Sequence, residues 1–190
     1  MRFAIADPPY IGQSKKHYAH HPDYAGEVDH AALIARLVAE FPDGWALCCS
    51  SPSLRYLLPL CPESVRVMAW VKPFAFWKPG IRVGYCWEPV IVHGGRPRPK
   101  NRGTVRDYIA ANAYQNRQQS LVIEKANGTA VPGRKPEAFC FWLFEVLGME
   151  RGDELADLFP GSGAVTQAWE RYQRQFVGAS SSDLVQGVFS

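Results

Sequence analysis

Asp7-Pro8-Pro9-Tyr10 follows directly on the apolar run Phe3-Ala4-Ile5-Ala6, so a short strand ends in a rigid turn bearing one carboxylate and one aromatic ring. Two successive prolines have fixed φ and no N–H. They cannot extend a sheet ladder, and their carbonyls are held in set directions. One Asp7 oxygen and the Pro8 carbonyl can then accept the two N–H donors of a planar amino group, such as the exocyclic amine of a nucleobase, while Tyr10 offers a stacking face. The bland alternative for Asp-Pro-Pro is a strand-to-loop stop.

A second group of residues sharpens the first. Asp157-Leu158-Phe159-Pro160-Gly161-Ser162-Gly163 lies between the acid-and-apolar stretch Glu154-Leu155-Ala156 and the helical run Ala164-Val165-Thr166-Gln167-Ala168-Trp169. Gly161 and Gly163 let the backbone turn sharply and approach a ligand, and the helix start beyond them offers unpaired N–H groups.

Together the two motifs resemble the β-type, permuted S-adenosylmethionine-dependent amino methyltransferases that act on adenine N6 or cytosine N4 of DNA. The signatures of that family are an Asp/Asn/Ser-Pro-Pro-aromatic tetrapeptide and an Asp-x-Phe-x-Gly-x-Gly loop. Having the catalytic strand first and the cofactor strand last is the permuted order. The resemblance implies that Asp7, Pro8, Pro9 and Tyr10 are catalytic. It also implies that Gly161, Ser162 and Gly163 form the cofactor loop, with Asp157 near the methionine ammonium and Phe159 packed beside the site. The pair Lys135-Pro136 matches the family's Lys-Pro before the cofactor strand, where Lys135 meets the cofactor's carboxylate or is merely solvated. S-adenosyl-L-methionine is the implied cofactor. Asp in the first position is associated with adenine, which makes adenine-specific DNA methylation the expected activity. RNA or a free nucleotide is the rival substrate, and an inactive nucleic-acid or cofactor-binding module is the rival class.

The elements that must position these residues alternate. His30 to Glu40 carries apolar positions at helical spacing and stops before Pro42-Asp43-Gly44, and Trp45-Ala46-Leu47-Cys48-Cys49 suits a buried parallel strand. Pro52 can open a helix over 52–58; Val65–Val71 and Trp87–His93 read as strands. Ala138–Leu147 reads as a helix with Pro136 in its first turn and Gly148 as its C-cap. The expected fold is therefore α/β: a mostly parallel, doubly wound, Rossmann-like sheet with helices on both faces. The adjacent strands at 65–71 and 87–93 have no helix between them and suggest one antiparallel edge strand.

Three segments are candidate substrate contacts. Ile11–Asp29 holds His17, Tyr18, His20, His21 and Tyr24 straight after the catalytic turn, placed to act as a lid, with Tyr18 or Tyr24 available to stack on a flipped base. The histidine spacing matches no compact ligand set, and no metal site is expected. Phe74, Phe76 and Trp77 surround Lys72 and Lys78 after a strand and could rim the site, with Lys72 as a phosphate contact, whereas Trp70, Trp87, Phe139, Phe141, Trp142 and Phe144 read as core. From 96 to 134 the composition turns basic and polar. Arg96, Arg98 and Arg102, with Lys100 and Arg106, can grip phosphates, and Tyr114–Gln119 carries amides able to reach base edges; a solvated linker is the alternative.

The chain departs from the family near its end. Gln175–Ser180 reads as a strand whose end normally presents an acid to the cofactor ribose, but Ser180 stands there, with Asp183 a few residues on. A chain of 190 residues, 47% hydrophobic and 13% aromatic, suffices for one core, expected over 1–180 with a flexible tail at 181–190. A formal net charge of +3 makes whole-molecule attraction to nucleic acid mild, so any grip must be local. The five cysteines show no Cys-x-x-Cys pair, Met1 leads straight into the first apolar run so that no leader is expected, no long uncharged apolar stretch occurs, and the expected location is cytoplasmic. A homodimer covering an exposed sheet edge is a further expectation.

Overall fold

A computed structural model of the chain describes residues 1–13, 26–72, 80, 82–111 and 134–178. In chain order the strands are β1 (Arg2–Ala6), β2 (Gly44–Cys48), β3 (Arg66–Val71), β4 (Trp87–Gly94), β5 (Tyr108–Ala110) and β6 (Glu154–Asp157). The helices are α1 (His30–Glu40), the single turn α2 (Leu54–Leu57) flanked by 3₁₀ turns at Ser51–Ser53 and Leu58–Leu60, α3 (Glu137–Leu147) and α4 (Ala164–Gly178).

The six strands form one sheet in the order β5-β3-β4-β2-β1-β6. β1 is parallel to β2 and β6, and β3 is parallel to β5, while β4 runs antiparallel to both β2 and β3. The mostly parallel sheet is as expected, but its antiparallel strand is internal and not at the edge. Lack of a crossover helix between β3 and β4 dictates only the reversal of direction. Position follows from burial: Val90, Ile91 and Val92 are covered on both faces, which suits an inner strand. β5 was not anticipated, because three residues in a basic, polar stretch carry no readable period.

Alternation along β1 shows how the sheet is covered. Phe3 and Ile5 join Phe139, Trp142, Leu143, Phe144, Val165 and Trp169 on the face of α3 and α4. Ala4 and Ala6 join Leu33, Ile34 and Leu37 of α1, together with Phe41, Trp45 and Leu57, on the other. The α1 start is capped by Asp29, whose carboxylate accepts from the Ala32 N–H at 3.0 Å. α3 is apolar on nearly all sides because it lies between the sheet and α4; Phe144 meets Trp169 at 5.1 Å and Tyr172 at 5.3 Å between ring centroids. Gly148 closes α3 in the left-handed conformation at φ 65°, with its N–H donating to Glu145. Pro136 is the extended residue just before the helix, not part of its first turn.

α4 continues through Gly178, so residues 175–178 are helical and the strand expected over 175–180 does not form there. Glu170 to Gln175 are helix-compatible with no breaker among them, and a short apolar pair after them fits either state. Ser180 and Asp183 lie outside the described residues. All five cysteines are free: Cys48, Cys49 and Cys140 are buried, and Cys86 is exposed. Among the described residues no helix is long and apolar enough to cross a membrane.

Phe139 is fully buried, 4.8 Å from the Trp70 ring and 5.8 Å from Trp142. Phe139→Ala should cost about 3–5 kcal/mol, a large share of a total stability on the order of 5–15 kcal/mol. Urea unfolding followed by fluorescence should show a fall of the midpoint with little change in slope.

Candidate active site

The proline-locked corner and the glycine turn meet. β1 and β6 are adjacent and parallel with Ile5 opposite Asp157, and the Leu158 N–H donates to the Ile5 carbonyl at 3.0 Å. Asp7 and the turn from Asp157 to Gly163 therefore leave neighbouring strands at the same, strand-finish end of the sheet, where ligands of such folds bind.

Around Asp7 the structure assembles a compact charged group from four elements. Lys135, buried just before α3, sets its ammonium 2.8 Å from Asp7 Oδ1 and 3.9 Å from Glu88 Oε2. Glu88 also pairs with Lys72 and accepts from the Tyr10 hydroxyl at 2.7 Å. The Trp70 ring completes the floor, with Lys72 Nζ 4.4 Å and Lys135 Nζ 5.2 Å from its centroid. Apart from the Lys135 ion pair, buried Asp7 Oδ1 accepts no hydrogen bond among the described residues.

Titration in this group follows from its crowding. Burial by itself lowers the Lys135 pKa, but Asp7, Cys48 and Glu88 more than offset it and hold the ammonium above its ordinary value. Burial by itself raises Glu88, yet Lys135, Lys72 and the Tyr10 hydroxyl bring its carboxyl below the usual value. Tyr10 is pushed well above an ordinary phenol, first by burial and then by Asp7 and Glu88. Its hydroxyl stays protonated and donates.

The glycine turn is set by two positive φ angles, 46° at Gly161 and 69° at Gly163, and a Gly163 N–H that donates to Pro160 O at 2.6 Å. A Cβ on Gly163 would come within 3.3 Å of the Gln167 side chain. Beyond it α4 begins, so its first N–H groups lie beside the turn, that of Thr166 donating to Asp157. Asp157 accepts from Thr166 Oγ1 at 2.9 Å, and burial, with Asp7 contributing, raises its pKa despite the hydrogen bonds from Thr166 and the Phe159 N–H. Among the described residues Asp157 has no ion-pair partner. A half-buried carboxylate without a cation, next to a turn of small residues and a helix start, suits a ligand bearing an ammonium. Phe159 packs partly buried on the α1 side of the sheet, and Ser162 sits half-buried between the two glycines.

Several residues fall elsewhere than expected. Lys135 is engaged by Asp7 and Glu88, with Pro136 directly behind it. Lys72 does reach the site, but as the partner of Glu88 and not as a free phosphate contact. The structure does not bring Arg96, Arg98 and Arg102 to this corner. Because β4 is antiparallel, the chain after Gly94 emerges at the strand-start end, where Arg96 binds both Asp153 carboxylate oxygens at 2.8 Å and the Met1 ammonium binds the same residue at 2.9 Å. Trp87, read as core, is 40% exposed. His17, Tyr18, His20, His21, Tyr24, Phe74, Phe76, Trp77 and Tyr114–Gln119 lie outside the described residues. Glu88 is the residue that the sequence reading missed. Its signal was an acid inside the otherwise apolar run Trp87–Val92, a charge that an inner strand tolerates only when paired.

Lys135→Met would leave Asp7 and Glu88 without their buried cation, and should lower stability by about 3–5 kcal/mol. Adding Glu88→Gln should return part of that loss, which a double-mutant cycle in urea would read. Since the folded Glu88 pKa is depressed, its stabilising contribution is full above the ordinary value of 4.5 and is lost as pH falls through the folded value. The Glu88→Gln variant should therefore show a flatter acid limb than the wild type.

No protein-family model matches the sequence, and no curated protein is recognisably similar to it. Solved structures are similar in fold. The crystal structure of the M1.HpyAVI-SAM complex aligns with a TM-score of 0.57 at 18% identity, over 90% of this chain and 78% of that one. A crystal structure of M1.HpyAVI aligns at 0.54 and 17%, over 90% and 76%. The PvuII DNA methyltransferase (cytosine-N4-specific) aligns at 0.59 and 16%, over 90% and 71%. At such identities the likeness is one of architecture: this chain has the α/β sheet fold that those proteins share.

Proposed function

We propose that this protein is an S-adenosylmethionine-dependent methyltransferase acting on the exocyclic amino group of a nucleobase in DNA, with adenine N6 as the acceptor. The observation that carries the reading is the adjacency of the Asp7 corner and the Asp157–Gly163 turn on paired parallel strands. The similarity to a protein crystallised with SAM and to a DNA methyltransferase supports it, and Asp in the first motif position favours adenine.

Asp157, Phe159, Gly161, Ser162 and Gly163 would hold the cofactor, with Asp157 receiving its ammonium. When bound, it supplies an electrophilic sulfonium methyl group. The remaining work belongs to the chain itself. Asp7 turns one oxygen toward Lys135, leaving the other to accept one amino N–H, and the Pro8 carbonyl accepts the second. Both acceptors draw electron density from ring conjugation toward the nitrogen lone pair, and they stabilise the acidic N–H bonds that develop as the nitrogen becomes positive, one of whose protons then leaves along the Asp7 hydrogen bond to solvent. Lys135 acts on Asp7 by fixing its direction. Tyr10, anchored through its hydroxyl to Glu88, presents its ring to the base. Most of the acceleration then comes from alignment of the acceptor nitrogen.

Asp7→Ala should abolish methyl transfer, by at least about 10³-fold, while leaving S-adenosylmethionine binding within a few-fold of wild type. Labelled cofactor with DNA, RNA or nucleotides, followed by nucleoside identification, tests the reaction and its acceptor together. Turnover of that variant at the wild-type rate, or label in a cytosine or an RNA base, would displace the corresponding part of the proposal. Tyr10→Ala should raise KM more than it lowers kcat, by about 10–100-fold in kcat/KM, since one base-stacking contact contributes about 1–3 kcal/mol.

A further inference from the structure

The arginines absent from the corner gather elsewhere. Arg66 at the start of β3, Arg96, Arg98 and Arg102 in the loop after β4, and Arg106 before β5 line a concavity of about 200 Å³. Its apolar floor is made by Met68, Val105 and Val146, and its acids are Asp107, Glu145 and Glu150. Counting Asp153, which holds Arg96 from outside the lining, five guanidinium groups face four carboxylates and the cleft stays net positive. It lies at the strand-start end: Arg66 is opposite Val92, whereas Trp70 is opposite Glu88 of the charged group at the corner. Four residues of extended chain separate the two levels, about 13 Å along β3.

The arginines divide into two kinds. Arg96 is half-buried and committed to Asp153. The others have weaker ion pairs: Arg66 lies 3.6 Å from Asp107, Arg102 lies 4.0 Å from Glu150, and Arg98 lies 3.6 Å from Glu145 while its Nε also donates to the Gly103 carbonyl. Arg66 and Arg102 expose 69% and 52% of their side chains. Such pairs contribute little to stability, so their guanidinium forks can turn to a better acceptor at small cost. A phosphate offers that acceptor in bidentate geometry. Arg66, Arg102 and Arg106 are exposed, so their side chains are within reach of an anion as extended as a nucleic-acid backbone.

We propose that this arginine-lined cleft is an anchoring site for the phosphodiester backbone of a polynucleotide, separate from the reactive corner. The assignment of a polynucleotide as ligand rests on the function proposed above. The cleft grips without reading sequence, which allows a chain with a net charge of only +3 to hold its substrate by a local field.

The test is a triple variant, Arg66→Gln, Arg98→Gln and Arg102→Gln, which leaves Arg96 and the corner untouched. Binding of a labelled DNA duplex is measured by anisotropy from 50 to 300 mM salt, with thermal unfolding and S-adenosylmethionine titration as controls. The expected result is an affinity lowered on the order of tenfold or more at the low-salt end, and a salt slope shallower by about 2–3, at unchanged cofactor affinity. Glu150→Gln, which removes a competing carboxylate, should tighten duplex binding. An Asp7→Ala protein should keep the wild-type slope, so loss of methylation and loss of the anchor are read separately. A triple variant that retains its fold and binds duplex with wild-type affinity and slope overturns the proposal, whatever the methylation assay returns. Inorganic phosphate titrated alone and followed by ³¹P line width distinguishes the other source. Saturable binding of phosphate to the wild type and not to the triple variant, with duplex affinity equal in both, assigns the cleft to a free anion and overturns the backbone reading.

Discussion

The pairing of β1 with β6 is the constraint on which the rest depends. Ile5 opposite Asp157 joins two segments far apart in sequence in one ladder, and only that register sets an acidic proline corner beside a glycine turn. Parallel pairing gives both corners the same direction of exit. An antiparallel arrangement would have placed them at opposite ends of the sheet, with no crevice between them.

Once the corners are adjacent, the charged group around Asp7 can form. Its members come from distant parts of the chain: Asp7 and Tyr10 after β1, Lys72 after β3, Glu88 in β4 and Lys135 ahead of α3. Two anions and two cations share a partly dry space over the Trp70 ring, so each is acceptable only because the others are present. The formal balance matters for chemistry too. Lys135 holds one Asp7 oxygen at 2.8 Å, and Glu88 holds Tyr10 by its hydroxyl so that the ring is placed by two anchors, the proline turn and the bond to β4.

The reversal of β4 sends its two ends to opposite ends of the sheet. Its first residues bring Glu88 to the strand-finish end, and its last deliver Arg96 and the basic loop to the strand-start end. Asp153 pins that second end by joining the Met1 ammonium, Arg96 and the Glu150 N–H. A buried, bidentate carboxylate thus fixes Arg96 at that end of the sheet.

Local composition determined the pieces: Asp7-Pro8-Pro9-Tyr10 as a turn with acceptors, Gly161 and Gly163 as a tight approach, His30–Glu40 and the stretch around Phe139–Leu147 as helices, and the strands from their apolar runs. Each of these follows from backbone restriction or short-range periodicity, both carried by residues close in sequence. The sequence was silent where partners are remote. Three polar-flanked residues become β5 only because β3 has a free side, Gln175–Gly178 stays helical because α4 is not interrupted, and Arg96 turns from a presumed phosphate contact into a partner of Asp153. Glu88 and Lys135 show the same limit most plainly. Their residue types announce charges that need compensation, but which charge meets which is decided by strand order and direction, and those are set by the packing of the whole sheet.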